Sequence, residues 1–84
     1  MNWDILEVQV QADQTLFVRF RDGLSGLVQF KKSHFTGVFE PLMDPRFFGQ
    51  VRLDHGVVGW PGDIELAPDA MHKAIKDHGV WILQ

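Results

Sequence analysis

Two patterns in the chain predict an α+β domain built on one core. The first third alternates apolar and polar residues with the period of two that marks half-buried strands. Near the C-terminus, Pro68-Asp69 opens a stretch whose apolar residues recur at helical spacing. The expected order is an antiparallel three-stranded meander, a short helical segment, a second β-hairpin, then a helix packed on the sheet. The 84 residues leave room for one domain, 1–84. A chain of this size buries only about 60–65 % of its unfolded surface, so modest stability is expected.

Leu6, Val8 and Val10 alternate with Glu7, Gln9 and Gln11, which reads as the first strand. Ala12-Asp13-Gln14 supplies a polar turn, and Leu16, Val18 and Phe20 resume the alternation. Asp22-Gly23 then signals a tight hairpin, because glycine tolerates the positive φ that such turns need. Ser25 to Phe30 is the third strand, where Gly26 marks a bulge or a close backbone approach.

The period changes after Phe30. Phe35, Val38, Phe39 and Leu42 fall at spacings of three, one and three, which suits one face of a short helix. Ser33 is placed to cap it, while Gly37 weakens it and Pro41 ends it early. Asp44-Pro45 reads as a cap followed by proline at the first helical position, with Phe47 and Phe48 anchoring that turn. Val51–Leu53 and Val57–Trp60 form a second hairpin about Asp54-His55-Gly56, where His55 suits a positive φ. Trp60-Pro61-Gly62 ends the strand, and Ile64 and Leu66 return across apolar surface.

In the last helix Met71, Ala74, Ile75 and His78 are expected on the buried face, with Lys73 and Lys76 solvated. Gly79 is placed as the C′ residue, bringing Val80 against Ile75. The final Val80-Trp81-Ile82-Leu83 is apolar for a free tail: either it adds a strand to the sheet, or it meets another chain and supports a homo-oligomer.

Composition narrows the function classes. The net charge of −3, with scattered Lys and Arg, argues against direct nucleic-acid binding. No apolar run approaches the ~18 residues that span a bilayer, so no membrane association is expected. Cysteine is absent, which excludes disulfides and thiolate metal sites, and MNWDILEV has no basic leader region. A cytoplasmic location is expected.

Catalytic chemistry finds little support in the spacing. His72 and His78 are six apart, which turns them to different helix faces, and His34 and His55 fall in separate loops, so no metal site is expected. Ser25 and Ser33 are the only serines, neither within a Gly-x-Ser-x-Gly turn, and no glycine-rich phosphate loop occurs. An acid–base pair drawn from His55 or His72 with Asp63 or Glu65 requires hydrogen-bond reach. No cofactor and no catalytic set are expected, and the chain does not read as an enzyme. Between Arg52 and Lys73, however, no Lys or Arg occurs, while Asp54, Asp63, Glu65 and Asp69 do. With Trp81 they are the candidate partner-binding residues, the carboxylates forming either a rim for a basic partner or ordinary surface acidity.

Phe20-Arg21-Asp22-Gly23, Phe39-Glu40-Pro41-Leu42, Asp44-Pro45, Phe47-Phe48, Val51-Arg52-Leu53, Trp60-Pro61 and Leu66-Ala67-Pro68-Asp69, in that order, resemble the small bacterial family called domain of unknown function 2442. The resemblance spans nearly the whole chain. Gly62 before Asp63, Glu65 where aspartate is usual, Gln29 after the third strand and Ala67 at the capping place depart from the pattern. The resemblance implies a compact α+β domain, sometimes fused to a helix-turn-helix domain, and often beside a second small protein in a toxin–antitoxin-like arrangement. It implies no catalytic residues. With the chain ending at Gln84, no DNA-binding domain is expected. The expected role is a non-enzymatic protein–protein interaction module, antitoxin-like or regulatory, whose partner is a small protein encoded nearby. The alternative is a regulatory domain holding a small ligand between the sheet and the last helix, lined by Trp60, Phe47 and Trp81.

Overall fold

A computed structural model describes residues 3–11 and 14–84. Strands β1 (Ile5–Val10), β2 (Thr15–Phe20) and β3 (Ser25–Phe30) form the antiparallel meander that the alternation predicts. Leu16, Val18 and Phe20 are fully buried. The Gly23 turn closes with φ 92°, its Asp22 carboxylate accepting from the Leu24 N–H at 3.0 Å. Of the expected polar turn, Ala12 and Asp13 lie outside the described residues; Gln14 has φ 51°. The first strand departs from the simple alternation. A register shift between Ile5 and Glu7 places Ile5 in the core and leaves Leu6 48 % exposed, because a bulge residue has no partner across the ladder.

The apolar tail forms β7 (Val80–Leu83), which joins the sheet parallel to β3 and gives the order β1-β2-β3-β7. A parallel neighbour needs a crossover rather than a hairpin. The crossover ends in helix α2 (Pro68–His78), joined to β7 by Gly79 alone. Gly79 adopts φ 76° and donates its N–H to the Ile75 carbonyl at 2.7 Å, an αL cap. Gly26 marks a close backbone approach. A Cβ there would lie 2.6 Å from the Gly79 carbonyl oxygen and 2.7 Å from Ile75 Cγ2, so the helix end sits directly on β3. Met71 and Ile75 are buried and Ala74 is half-buried, as expected, but His78 is exposed and His72 turns partly inward instead.

The segment after β3 does not form the predicted helical face. It makes two 3-10 pieces, Lys32–His34 and Gly37–Met43, and Ser33 lies inside the first rather than capping a helix. A 3-10 turn repeats every three residues, so i and i+3 eclipse. Phe39 and Leu42 share the inward ridge, and Val38 is left 69 % exposed. Helix α1 (Pro45–Phe48) follows the expected cap: Asp44 Oδ1 accepts from the Arg46 N–H at 2.9 Å.

Strands β4 (Arg52–Asp54), β5 (Val57–Trp60) and β6 (Ile64–Glu65) make a second, three-stranded antiparallel sheet, one strand more than the predicted hairpin. His55 takes φ 53° and Gly56 φ 79° in its first turn, as the sequence suggested. The two sheets meet around aromatic rings. Phe30 lies 5.6 Å from Phe48 and 6.0 Å from Trp60, both edge-on, and stacks on Phe35 at 5.8 Å. Trp60 is 1 % exposed, and its Nε1–H donates to the Phe48 carbonyl at 2.8 Å, so its single polar group is satisfied inside the core.

Candidate functional site

The strand register sorts the four-stranded sheet into two faces. Val10, Leu16, Val28 and Trp81 form one cross-strand row, next to the row of Val8, Val18 and Gly26. This is the face on which α2 sits. Trp81 therefore points toward the core and is half-buried there, rather than standing free on the tail. The opposite face carries the row Gln9, Phe17, Leu27 and Val80, flanked by the row Thr15, Gln29 and Ile82. Phe17, Leu27 and Val80 are half-buried, and Ile82 on the edge strand is 42 % exposed. Alongside them Arg19 Nε donates to Glu7 Oε1 at 3.1 Å across β1 and β2, so the clustered arginine is engaged by a carboxylate.

The acidic candidates are spread around the second sheet. Asp54 ends β4 with its Oδ1 2.8 Å from His55 Nδ1, and both side chains are exposed. Asp63 occupies the β5–β6 turn at φ 63°, and Asp69 lies in the first turn of α2, each exposed. Glu65 projects from β6 and crosses Gly59, where a Cβ would be 3.3 Å from its Cγ. Arg52 pairs with that same Gly59 from the other side. Arg52 and Glu65 thus share one cross-strand row on one face, and glycine between them leaves the space above the backbone to these two chains. Arg52 thus stands in the same cross-strand row as Glu65 at the border of the acidic stretch.

His55 and His72 each face a carboxylate other than Asp63 or Glu65. His55 stands beside Asp54, and His72 Nε2 contacts Asp22 Oδ2 at 2.8 Å. The His72 ring also meets buried Phe20 edge-on at 4.8 Å. The hydrogen bond from His72, then that from the Leu24 N–H, holds the Asp22 carboxyl below its usual range. This contact ties α2 to the β2–β3 turn over fifty positions. No spacing rule reaches that far; the only trace in sequence is that Asp22 follows the inward-facing Phe20 at a tight turn. Among the described residues, no three His, Cys, Asp or Glu side chains gather as a metal ion requires. Among the described residues, no helix is long and apolar enough to cross a membrane.

One concave region lies away from the pocket that the sequence suggested. Between sheet and last helix, the Gly26 approach brings backbone to backbone and Trp60 is buried. An open cleft of about 400 Å³ lies on the second 3-10 segment, lined by Gly37, Glu40, Pro41, Met43 and Asp44. Sequence spacing missed it because the residues were read with an α-helical period.

No curated protein and no solved structure matches the chain. A family model does match, over residues 5–77, and its description is "Protein of unknown function (DUF2442)". That match takes in both sheets up to β6 and nearly all of α2, so the chain belongs to this family of unknown function.

Proposed function

We propose that this chain is a non-enzymatic, cytoplasmic protein–protein interaction module, antitoxin-like or regulatory in kind, with a small protein encoded nearby as its partner. The observation that supports it most is the apolar row Phe17, Leu27 and Val80 on the outer sheet face, beside exposed Ile82 on edge strand β7. An edge strand presents unpaired backbone groups, and β7 carries neither a charge nor a proline to blunt them. A partner strand, or β7 of a second copy, is the natural occupant of such an edge. Asp54, Asp63, Glu65 and Asp69 would tune the approach of a basic partner more than its final affinity.

Co-expression with the product of the adjacent gene, followed by co-purification and light scattering, tests this reading. Ile82→Lys is expected to abolish the complex while leaving the monomer folded, since the side chain is exposed. A chain that stays monomeric and captures neither itself nor its neighbour defeats the proposal.

A further inference from the structure

The construction of the cleft on the second 3-10 segment follows from the three-residue period. Gly37, Glu40 and Met43 stack on one ridge, and Pro41 and Asp44 belong to the next. The third ridge, Phe39 and Leu42, is turned inward: Leu42 is fully buried, and the Phe39 ring lies 4.6 Å from that of His34. The inward ridge fastens the segment, so the two outward ridges are held in place without contributing to the core. Met43 is 52 % exposed and neighbouring Val38 69 %, so two of the five large exposed apolar side chains among the described residues fall within six positions. Isolated exposed apolar residues are ordinary, but a pair beside a concavity is what docking surfaces use.

The charge of the lining names the kind of occupant. Glu40 and Asp44 bring two carboxylates and no lysine or arginine lines the cleft; Arg46 follows in α1 outside it. The cleft is open to solvent, whereas small-molecule sites enclose most of their ligand. We infer that it receives an extended peptide segment of a partner protein, offering a Lys or Arg side chain to Glu40 and Asp44 and an adjacent apolar side chain to Met43 and Pro41. This rests on the interaction-module reading but uses a surface separate from the sheet edge.

The test is titration of the ¹⁵N-labelled full chain with an acetylated, amidated peptide alternating arginine and leucine. Matched peptides with glutamate or glutamine in place of arginine serve as comparisons. The arginine peptide is expected to give saturable shifts confined to the amides of residues 36–45. The glutamine peptide should bind at least tenfold more weakly, and the glutamate peptide not at all. Added salt should weaken binding, because the carboxylates are exposed. The double variant Glu40→Gln, Asp44→Asn should lower affinity at least tenfold without changing the rest of the spectrum, since asparagine keeps an oxygen for the Arg46 N–H. Binding unchanged by this variant, or equal for arginine and glutamine peptides, overturns the inference, as does the lack of saturable shifts at millimolar peptide. Shifts mapping to Phe17, Leu27 and Val80 overturn it too, while leaving the sheet-edge reading in place.

Discussion

Helix α2 and the 3-10 segment Gly37–Met43 both carry apolar residues that look amphipathic in sequence, yet only one of them obeys the α-helical period. In α2 the period of about 3.6 residues puts Met71 and Ile75 on the sheet, where both are buried. In Gly37–Met43 the period is three, so Phe39 and Leu42 are turned inward while Val38 faces solvent. The cause is local. Gly37 starts the segment at φ 57° and Pro41 sits within it, and neither favours a continuous α-helix. The lesson concerns function as well as fold, because the same change of period turns Glu40, Met43 and Asp44 into a cleft lining.

Truncation of the inward anchors should have the largest effect. Ile75→Ala and Leu42→Ala are each expected to lower unfolding free energy by about 2–5 kcal/mol, read from urea midpoints, since both side chains are fully enclosed. Were Leu42→Ala to cost as little as a surface change, the ridge assignment would be wrong. Next comes Gly26→Ala. Its new Cβ would press on the Gly79 carbonyl and Ile75, and a loss of roughly 1–3 kcal/mol is expected. If thermal unfolding shows no loss, the helix end must have room to rise from β3.

Ala67→Ser should move stability the other way. Ala67 precedes Pro68 in an extended conformation and makes no side-chain capping bond, so a hydroxyl there should add about 0.5–1 kcal/mol. A neutral result would mean that the N–H groups at the α2 N-terminus already have other acceptors. Smaller again is the effect of Asp22. Its carboxyl is held below the unfolded value of 3.8, so between the two values the unfolded chain binds more protons. The Asp22 contribution is therefore present above about 3.8 and fades as pH falls through the lower folded value. Urea midpoints of wild type and Asp22→Asn should converge toward acid pH; a constant difference across pH 2–6 would refute the link to ionisation. Least of all, Val38→Ala should stay within about 0.5 kcal/mol. A larger loss would return Val38 to the buried face that an α-helix would give it.

The residues made most of the local architecture legible. Alternation placed β2, Asp22-Gly23 and His55-Gly56 placed their turns, Asp44-Pro45 and Pro68 placed both helix starts, and Gly79 placed a helix end. The family was legible as well, because its motifs are ordered along the chain and the match runs over residues 5–77. Much less of the candidate surfaces could be read. The acidic residues were visible as a run without lysine or arginine, but that Arg52 shares a cross-strand row with Glu65 follows only from the pairing of both with Gly59.

Sequence by itself determined the elements whose causes act over a few residues: the period of a strand, the positive φ of a turn, the proline at a helix start. Tertiary structure decided the rest. It chose parallel pairing of β7 with β3, which turned Trp81 toward the core and Ile82 outward. It joined His72 to Asp22 across the fold. The reason is the same throughout. A contact between distant segments depends on which face each presents and how closely the backbones approach, and Gly26, beneath Ile75 and Gly79, shows that such an approach is settled in space rather than along the chain.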